Sequence, residues 1–384
     1  MIWSELLLRA LGALGMAILP LVATPFLVSG SRKVVGRIQN HRRPGGLQIV
    51  TGPPARLRTL AAVIKQLSQG LIIPHGADRA GFVAAPILAV ALALATWAVI
   101  PLGPEGLQVA DLEIGVLYVV TVSLLAPLAV LLAGWSSRTG NAEDGAFRAI
   151  SHLISHKVPL ILALLVPVML SGSLSLQEIV LAQQIPYILP VPLAALLFLL
   201  AAEAEVGRLP LGGAEASGAI ATGTLDEYSG TMLSAFNLAE YVNSFTVSVL
   251  FSVFFLGGWR GPWLAEAPFL GTVWLLLKAF VVFNLLVFIR AALPRLRRDQ
   301  LLAFNWTYVV PLGMLVLVTV ALVDKLIVTL GVTSVGWWGA GLLAANLVIG
   351  LGMVAVLVWV ERAGKVHRAA PGMTLRDGPR PEER

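Results

Sequence analysis

A polar, glycine-rich segment interrupts the apolar sequence in the middle of the chain. It covers residues 204–230 and reads AEVGRLPLGGAEASGAIATGTLDEYSG, with ionisable side chains at Glu205, Arg208, Glu215, Asp226 and Glu227. Isolated carboxylates beside an arginine, between apolar runs, are typical of an aqueous cavity at membrane depth. Glycine and proline also permit backbone shapes that a helix forbids. The segment is therefore predicted to be an ordered loop that lines a site, in preference to a disordered connection.

Other signatures of chemistry are scarce in this chain. It has no GxSxG, P-loop or HExxH pattern, and the lack of cysteine excludes disulfides, cysteine-ligated iron–sulfur clusters and thiolate zinc sites within it. His152 and His156 have the i, i+4 spacing of two metal ligands on a helix, with Lys157 adjacent. We interpret them as an interfacial cluster at the cytoplasmic end of a span. No catalytic residue and no metal site are therefore predicted.

The composition identifies the class of protein that must position the polar segment. Of 384 residues, 57% are hydrophobic and 12% are charged, and the mean hydropathy is +0.85. A soluble domain carries about 25% charged residues, so the chain is predicted to be an all-α polytopic membrane protein. The net charge of +6 does not indicate nucleic-acid binding, because the basic residues lie in short clusters beside apolar runs, where they set topology.

The apolar runs predict eight or nine transmembrane helices, since a helix needs about 20 apolar residues to cross a bilayer. The runs cover residues 6–28, 80–100, 114–133, 158–172, 185–202, 244–256, 273–292, 308–330 and 337–360. Residues 61–73 are apolar at helical spacing but too short to span, so we expect an amphipathic interfacial helix with Lys65 on its polar side. Residues 1–365 then form a single transmembrane domain, followed by a disordered tail at 366–384.

The basic residues predict the orientation of these helices. Loops after the first, third and seventh runs are rich in arginine and lysine, whereas the intervening loops are poor in them. Basic loops stay in the cytoplasm. The N-terminus is therefore expected outside, and the polar segment at 204–230 on the cytoplasmic side.

Short motifs in a fixed order carry a resemblance to a known family. They are Arg32-Lys33, Gly36-Arg37-Ile38-Gln39-Asn40, Ile72-Ile73-Pro74, ATWAVIP at 95–101, GVLY at 115–118, GWSS at 134–137, GAFRA at 145–149, the segment 204–230, Ala239-Glu240-Tyr241, LGGW at 256–259, IRAALPR at 289–295, Arg297, Asp299-Gln300-Leu301 and Trp306. Over about residues 30–315 the chain resembles the membrane subunit of respiratory complex I (NADH-quinone oxidoreductase) that joins the peripheral arm to the membrane arm. This subunit is called H in bacteria and 1 in mitochondria.

The resemblance implies a role for the polar segment. In that family the subunit forms the membrane-facing mouth and much of the wall of a narrow chamber in which ubiquinone or menaquinone is reduced. Residues 203–240 would be the quinone-chamber loop, with Arg208 as the counter-charge of Glu205. The implied chamber and proton-path candidates are Glu205, Arg208, Glu215, Asp226, Glu227, Tyr228, Glu240 and Lys278. Lys278 lies in mid-span, where an uncompensated ammonium costs several kcal/mol, so it should face protein or water.

The resemblance also implies partners. Candidates for docking to the peripheral arm are Arg37, Arg148, Arg290, Arg295 and Arg297. The chain would bind no cofactor itself and show no activity alone, with quinone as substrate and with FMN and iron–sulfur clusters in partner subunits. Those partners would be the peripheral quinone-module subunits and the small membrane-arm subunits, in the lipid of the cell inner membrane, without nucleic acid.

Several departures from the family leave alternatives open. Acidic positions of the family are occupied here by Ser31, Lys157, Gly212, Ser217 and Ala219. One interpretation is weak proton coupling, or a path rerouted through Glu205, Glu215 and Glu240. In the other, Lys157 merely snorkels at the boundary and other acids compensate. The short segment 39–48 resembles the related anchor of hydrogenase-type or ferredoxin-linked complexes, the alternative to complex I, and an unrelated carrier is the third interpretation.

Overall fold

The computed structural model describes residues 2–38, 65, 68–70, 72–104, 111–206, 224–264, 267, 269–293, 298–331 and 334–368. Within these ranges the chain forms helices and turns. The helices are α1 Ile2–Ile38, α2 Arg79–Ala95, a 3-10 turn Thr96–Val99, α3 Gly115–Ser137, α4 Gly140–Ser171, α5 Leu176–Ala182, α6 Pro192–Glu205, α7 Gly230–Phe255, α8 Leu270–Ala292, α9 Arg298–Phe304, a π-helical turn Asn305–Val309, α10 Val310–Thr329 and α11 Val335–Arg368.

Eight of the described helical segments are long and apolar enough to cross a membrane. The all-α polytopic prediction is therefore confirmed. Two predicted spans were too short, because α4 and α7 continue well before residues 158 and 244. Polar side chains in those extensions pack against neighbouring helices, so polarity does not end the helix.

The predicted crossing at 185–202 is wrong in its boundaries. Residues 183–191 form turns, and α6 begins at Pro192, near the first helical position that proline favours. The resulting helix has 14 residues and is shorter than a full bilayer crossing. The end of α6 therefore brings Glu205 to the beginning of the polar segment.

Some predictions fall on residues that the structure does not describe. The proposed amphipathic helix at 61–73 is described in part, with Lys65 helical and exposed. Of the segment 203–240, residues 207–223 lie outside the described ranges. The helix α11 extends to Arg368, and residues 369–384 are likewise outside them. The domain boundaries and the tail remain predictions.

Small residues and side-chain caps set the helix packing around the future site. Gly134 of α3 lies against α4, where a Cβ would meet the Ala142 carbonyl oxygen at 2.7 Å. Asp78 caps α2 by accepting a hydrogen bond from the Ala80 amide at 3.2 Å. Helix α7 is the most enclosed span, with 78% of its most apolar stretch buried. The core therefore lies around α7, and α2, α3, α4 and α6 surround its cytoplasmic half.

Candidate functional site

A cavity of about 530 Å³ lies among α2, α3, α4, α6 and α7. Aliphatic side chains of α2 and α3 form one wall, including Leu92, Val119 and Val130. The opposite wall holds the ionisable and amide side chains, which are Lys157, Glu205, Asp226, Tyr228, Asn237, Glu240 and Asn243. The cavity thus has an apolar side and a charged side, both made by the described residues.

Lys157 and Glu205 form an ion pair on the charged wall of the cavity. The Lys157 Nζ donates to Glu205 Oε1, and the two side chains are 3% and 6% exposed. The interpretation of Lys157 as a snorkelling residue is therefore wrong, because its ammonium is buried against a carboxylate. Burial of two charges is tolerated when they compensate each other. Helix α4 supplies the cation and the last residue of α6 supplies the anion.

Tyr228 closes the cavity at the end of the polar segment. Its ring is buried and stacks on Phe82, and its hydroxyl lies 3.3 Å from Ser136 Oγ. Burial raises the pKa of the Tyr228 phenol, against a smaller lowering by the bond with Ser136. The phenol therefore keeps its proton at neutral pH and presents a neutral hydroxyl.

Four of the eight predicted chamber residues line this cavity: Glu205, Asp226, Tyr228 and Glu240. Asp226 is exposed and Glu240 half-buried, and both make interactions within the molecule. Glu227 is half-buried beside them, although it is outside the cavity lining. Arg208 and Glu215 lie outside the described residues. The counter-charge that the structure gives to Glu205 is thus Lys157, which the sequence did not indicate.

Lys278 lies away from the cavity, and its partners are carbonyl groups. Its Nζ donates to the carbonyl oxygens of Leu256, Gly258 and Arg260 at 2.8, 2.9 and 2.7 Å. These carbonyls belong to the turn that follows α7, where a cation offsets the negative end of the helix dipole. The expectation that Lys278 faces protein is confirmed, and the protein it faces is this chain.

The predicted docking arginines differ in exposure. Arg37 and Arg148 are exposed, and the Arg148 Nε donates to the Asp144 carbonyl at 2.9 Å. Arg290 is half-buried and acts electrostatically on Glu203, a buried carboxyl that the sequence analysis did not single out. Arg295 and Arg297 are outside the described residues. Two of the five arginines therefore present free surface suited to docking.

The histidine pair is buried, so its interpretation as an interfacial cluster is wrong. His152 is 1% and His156 is 4% exposed, and the ring centroids lie 4.3 Å apart. Among the described residues no three His, Cys, Asp or Glu side chains gather in a way that could hold a metal ion. Packing between α4 and its neighbours, which periodicity does not reveal, encloses these rings.

A second buried polar contact was not indicated by the sequence. Asn305 Nδ2 donates to the Ser155 carbonyl at 2.6 Å and lies 3.0 Å from Ser155 Oγ. Asn305 opens the π-helical turn between α9 and α10. Turns of this kind are rare and frequently mark functional positions. The signal that could have found this contact is an asparagine within an apolar run.

Comparison with known proteins assigns the family. The family model described as NADH dehydrogenase matches residues 11–321. The chain is 39% identical to an NADH-quinone oxidoreductase membrane protein of Dehalococcoides mccartyi (strain CBDB1) over 319 residues, which are 83% of this chain and 87% of that protein. It is 37% identical to an NADH-ubiquinone oxidoreductase chain 1 of Metridium senile over 303 residues, covering 78% and 89% of the two chains. The chain therefore belongs to the NADH dehydrogenase family, in which these bacterial and mitochondrial-type oxidoreductase chains are its relatives.

Proposed function

We propose that this chain is the membrane subunit of a proton-translocating NADH–quinone oxidoreductase. In this role it forms the quinone-binding chamber and links the peripheral arm to the membrane arm. Electrons reach the quinone from iron–sulfur clusters and FMN held by partner subunits. The chain contributes shape, charge and proton-exchanging groups to the reaction.

The cavity among α2, α3, α4, α6 and α7 is the observation that carries this proposal. Its volume of about 530 Å³ is within the range of small-molecule sites. Its aliphatic wall suits an isoprenoid substituent, and its polar wall suits a quinone head group. Tyr228 and Asn237 offer neutral hydrogen-bond donors on that wall.

Proton exchange in this proposal uses the acids of the same wall. Glu205, Asp226 and Glu240 line the cavity, and carboxyl groups next to a hydrated cavity can bind and release protons. Arg208, Glu215 and Glu227 remain candidates for the same chamber. The relatives that carry the quinone-reductase name support this assignment of the acids.

The proposed location is the cell inner membrane, with the N-terminus outside and the basic loops in the cytoplasm. The exposed side chains of Arg37 and Arg148 then face the peripheral arm. Arg290, Arg295 and Arg297 extend the same surface. The other partners are the small membrane-arm subunits and lipid.

Filling the cavity tests the proposed chamber directly. Ala126 of α3 lines the cavity, so Ala126→Trp places an indole in the space assigned to quinone. We expect quinone reduction and quinone-site inhibitor binding to fall at least tenfold in the assembled complex, about 1.4 kcal/mol or more. NADH oxidation by a water-soluble acceptor, which needs only the peripheral arm, should be unchanged.

Leu128→Trp is the matched control on the same helix. Leu128 is 48% exposed on the outer side of α3 and does not line the cavity. Quinone reduction should stay within twofold of the parent in this variant. Equal activities of the Ala126→Trp, Leu128→Trp and parent complexes would contradict a quinone site in this cavity.

The alternative is a membrane anchor of a hydrogenase-type or ferredoxin-linked complex. The short segment 39–48 favours it, and that segment lies outside the described residues. Purification of the native complex through a tag on this chain decides between the two. Co-purification of hydrogenase subunits, with no NADH-oxidising subunit, would replace the complex I assignment.

A further inference from the structure

One turn of α4 is buried yet polar on every side. His152, Ser155, His156 and Lys157 are all less than 5% exposed. Ser155 contacts Asn305 of the π-helical turn, and Lys157 contacts Glu205 of α6. His156 lies between these two contacts on the helix, next to the ion pair at the cavity wall. Burial of so many polar groups is costly unless they are paired or functional.

The hydrogen bond of His156 fixes the role of each ring nitrogen. Its Nδ1 lies 2.7 Å from the carbonyl oxygen of His152. A carbonyl oxygen can only accept a hydrogen bond, so Nδ1 carries the hydrogen. In the neutral ring Nε2 then holds the lone pair, and Nε2 is the atom that can take up and release a proton.

We propose that His156 is the proton-exchanging partner of the Lys157–Glu205 ion pair. The inference rests on the proposed function, because the cavity beside the pair is the proposed quinone chamber. The charges of Glu205 and Lys157 both act on the His156 ring, and the His152 ring packs against it. His156 is thus in electrostatic contact with the pair, while Nδ1 stays bonded to the His152 carbonyl.

The transfer is balanced in protons and needs no redox partner at this site. One proton binds Nε2 and forms the imidazolium, and the same proton then passes to the Glu205 carboxylate, directly or through water. Glu205 becomes a neutral carboxyl, His156 returns to the neutral ring, and the Lys157 ammonium is unchanged. The reverse sequence releases the proton.

A histidine at this position answers the charge change at Lys157. A carboxylate that faces an ammonium in a buried pair is stabilised in its charged form and is a poor proton acceptor. A neutral base next to the pair restores a group that binds protons near neutral pH. Lys157 therefore holds the charge on Glu205, and His156 supplies the exchange.

The test compares His156→Gln with the parent complex by infrared difference spectroscopy. Spectra are taken between about pH 5 and about pH 8, the range in which imidazole titrates, on complex with isotope-labelled histidine. The signal of one titrating imidazole should be present in the parent and absent in His156→Gln. His75→Gln is the matched control, since His75 is exposed and far along the chain from this turn.

A turnover assay gives the second measurement. Loss of a positioned proton-transfer group costs about 10²–10⁴-fold in rate, so His156→Gln should lower quinone-coupled proton translocation at least tenfold. Adding Lys157→Glu to His156→Gln should recover activity, because a carboxyl then replaces the lost base. His75→Gln should stay within twofold of the parent.

Two results would overturn the inference. One is an assembled His156→Gln complex with the parent's infrared signal and translocation within twofold. The other is failure of both His156→Gln and His156→Tyr to assemble, which would make the ring a packing element. A parent complex that reduces no quinone would instead refute the proposed function, and the infrared signal would still decide whether His156 exchanges protons.

Discussion

Tyr228 lies flat against Phe82, with ring centroids 4.0 Å apart and ring planes 2° from parallel. Phe236 meets the other side of Tyr228 edge-on at 5.2 Å. The three rings come from α2, from the end of the polar segment and from α7. They fix the point where the polar segment enters the membrane again, and Tyr228 forms part of the cavity wall.

Removal of this ring should loosen the cavity more than removal of its hydroxyl. Tyr228→Ala deletes a buried aromatic side chain, for which a loss of about 3–5 kcal/mol is expected. Tyr228→Phe keeps the stack and loses the contact with Ser136, a change of about 1 kcal/mol. The thermal midpoints of the assembled complexes measure both. Equal midpoints for the two variants would mean that the stack contributes nothing.

Breaking the buried ion pair should be costlier than removing both of its charges. Lys157→Met leaves the Glu205 carboxylate buried without its cation, and an uncompensated buried charge costs about 3–5 kcal/mol. The double variant Lys157→Met/Glu205→Gln removes both charges and should recover most of the stability. The yield and thermal midpoint of the assembled complex check this. A double variant no more stable than Lys157→Met would argue against direct coupling of the two residues.

Lys278 should matter for stability and leave proton translocation intact. Lys278→Met removes charge-assisted hydrogen bonds to three carbonyl groups, each contributing about 1.5–3 kcal/mol. We expect a lower thermal midpoint with an unchanged ratio of protons to electrons. Lys325→Met, at an exposed position of α10, is the control and should change neither. Lost translocation at the parent's stability would return Lys278 to the proton path.

The membrane class could be predicted from the sequence because it depends on composition and on the length of apolar runs. The motif order also indicated the family, and four of the predicted chamber residues do line one cavity. The partner of Glu205 could not be predicted, since the pairing with Lys157 spans 48 positions of sequence. It depends on how α4 and α6 pack, a relationship that one sequence does not record.

The two histidines illustrate the same limit at a single helix. Their i, i+4 spacing predicted that they share a face, and their ring contact agrees with this. The spacing does not say whether that face meets lipid, water or protein. Because neighbouring helices cover α4 at this level, the face is interior, and a surface interpretation of the pair was wrong.

Cysteine labelling should report the two ends of α4 from opposite sides of the membrane. The helix has 32 residues and is about 48 Å long at 1.5 Å per residue, enough to cross the bilayer. Arg148 near its beginning and Glu178 just beyond its end are both exposed. In this cysteine-free chain, Arg148→Cys should react with an impermeant reagent from the cytoplasm, and Glu178→Cys from outside. The reverse pattern would invert the proposed orientation.

Gly134 should tolerate no side chain, because α3 and α4 touch through it. A Cβ at Gly134 would lie 2.7 Å from the Ala142 carbonyl oxygen and would also overlap Ala146 Cβ, both on α4. Backbone and Cβ atoms cannot turn aside as a long side chain does, so the helices must separate. Small residues permit this close approach in membranes, where packing contacts drive helix association.

We therefore expect Gly134→Val to lower the yield of assembled complex several-fold. Gly140→Ala is the matched control, since no described atom lies within 4 Å of a Cβ built there. Native gel electrophoresis of membranes that express each variant measures assembly. Separation of α3 from α4 would also shift Lys157 away from Glu205, so any assembled Gly134→Val complex should resemble Lys157→Met in its thermal midpoint. Parent-like assembly and stability of Gly134→Val would show that the two helices are not held together at this contact.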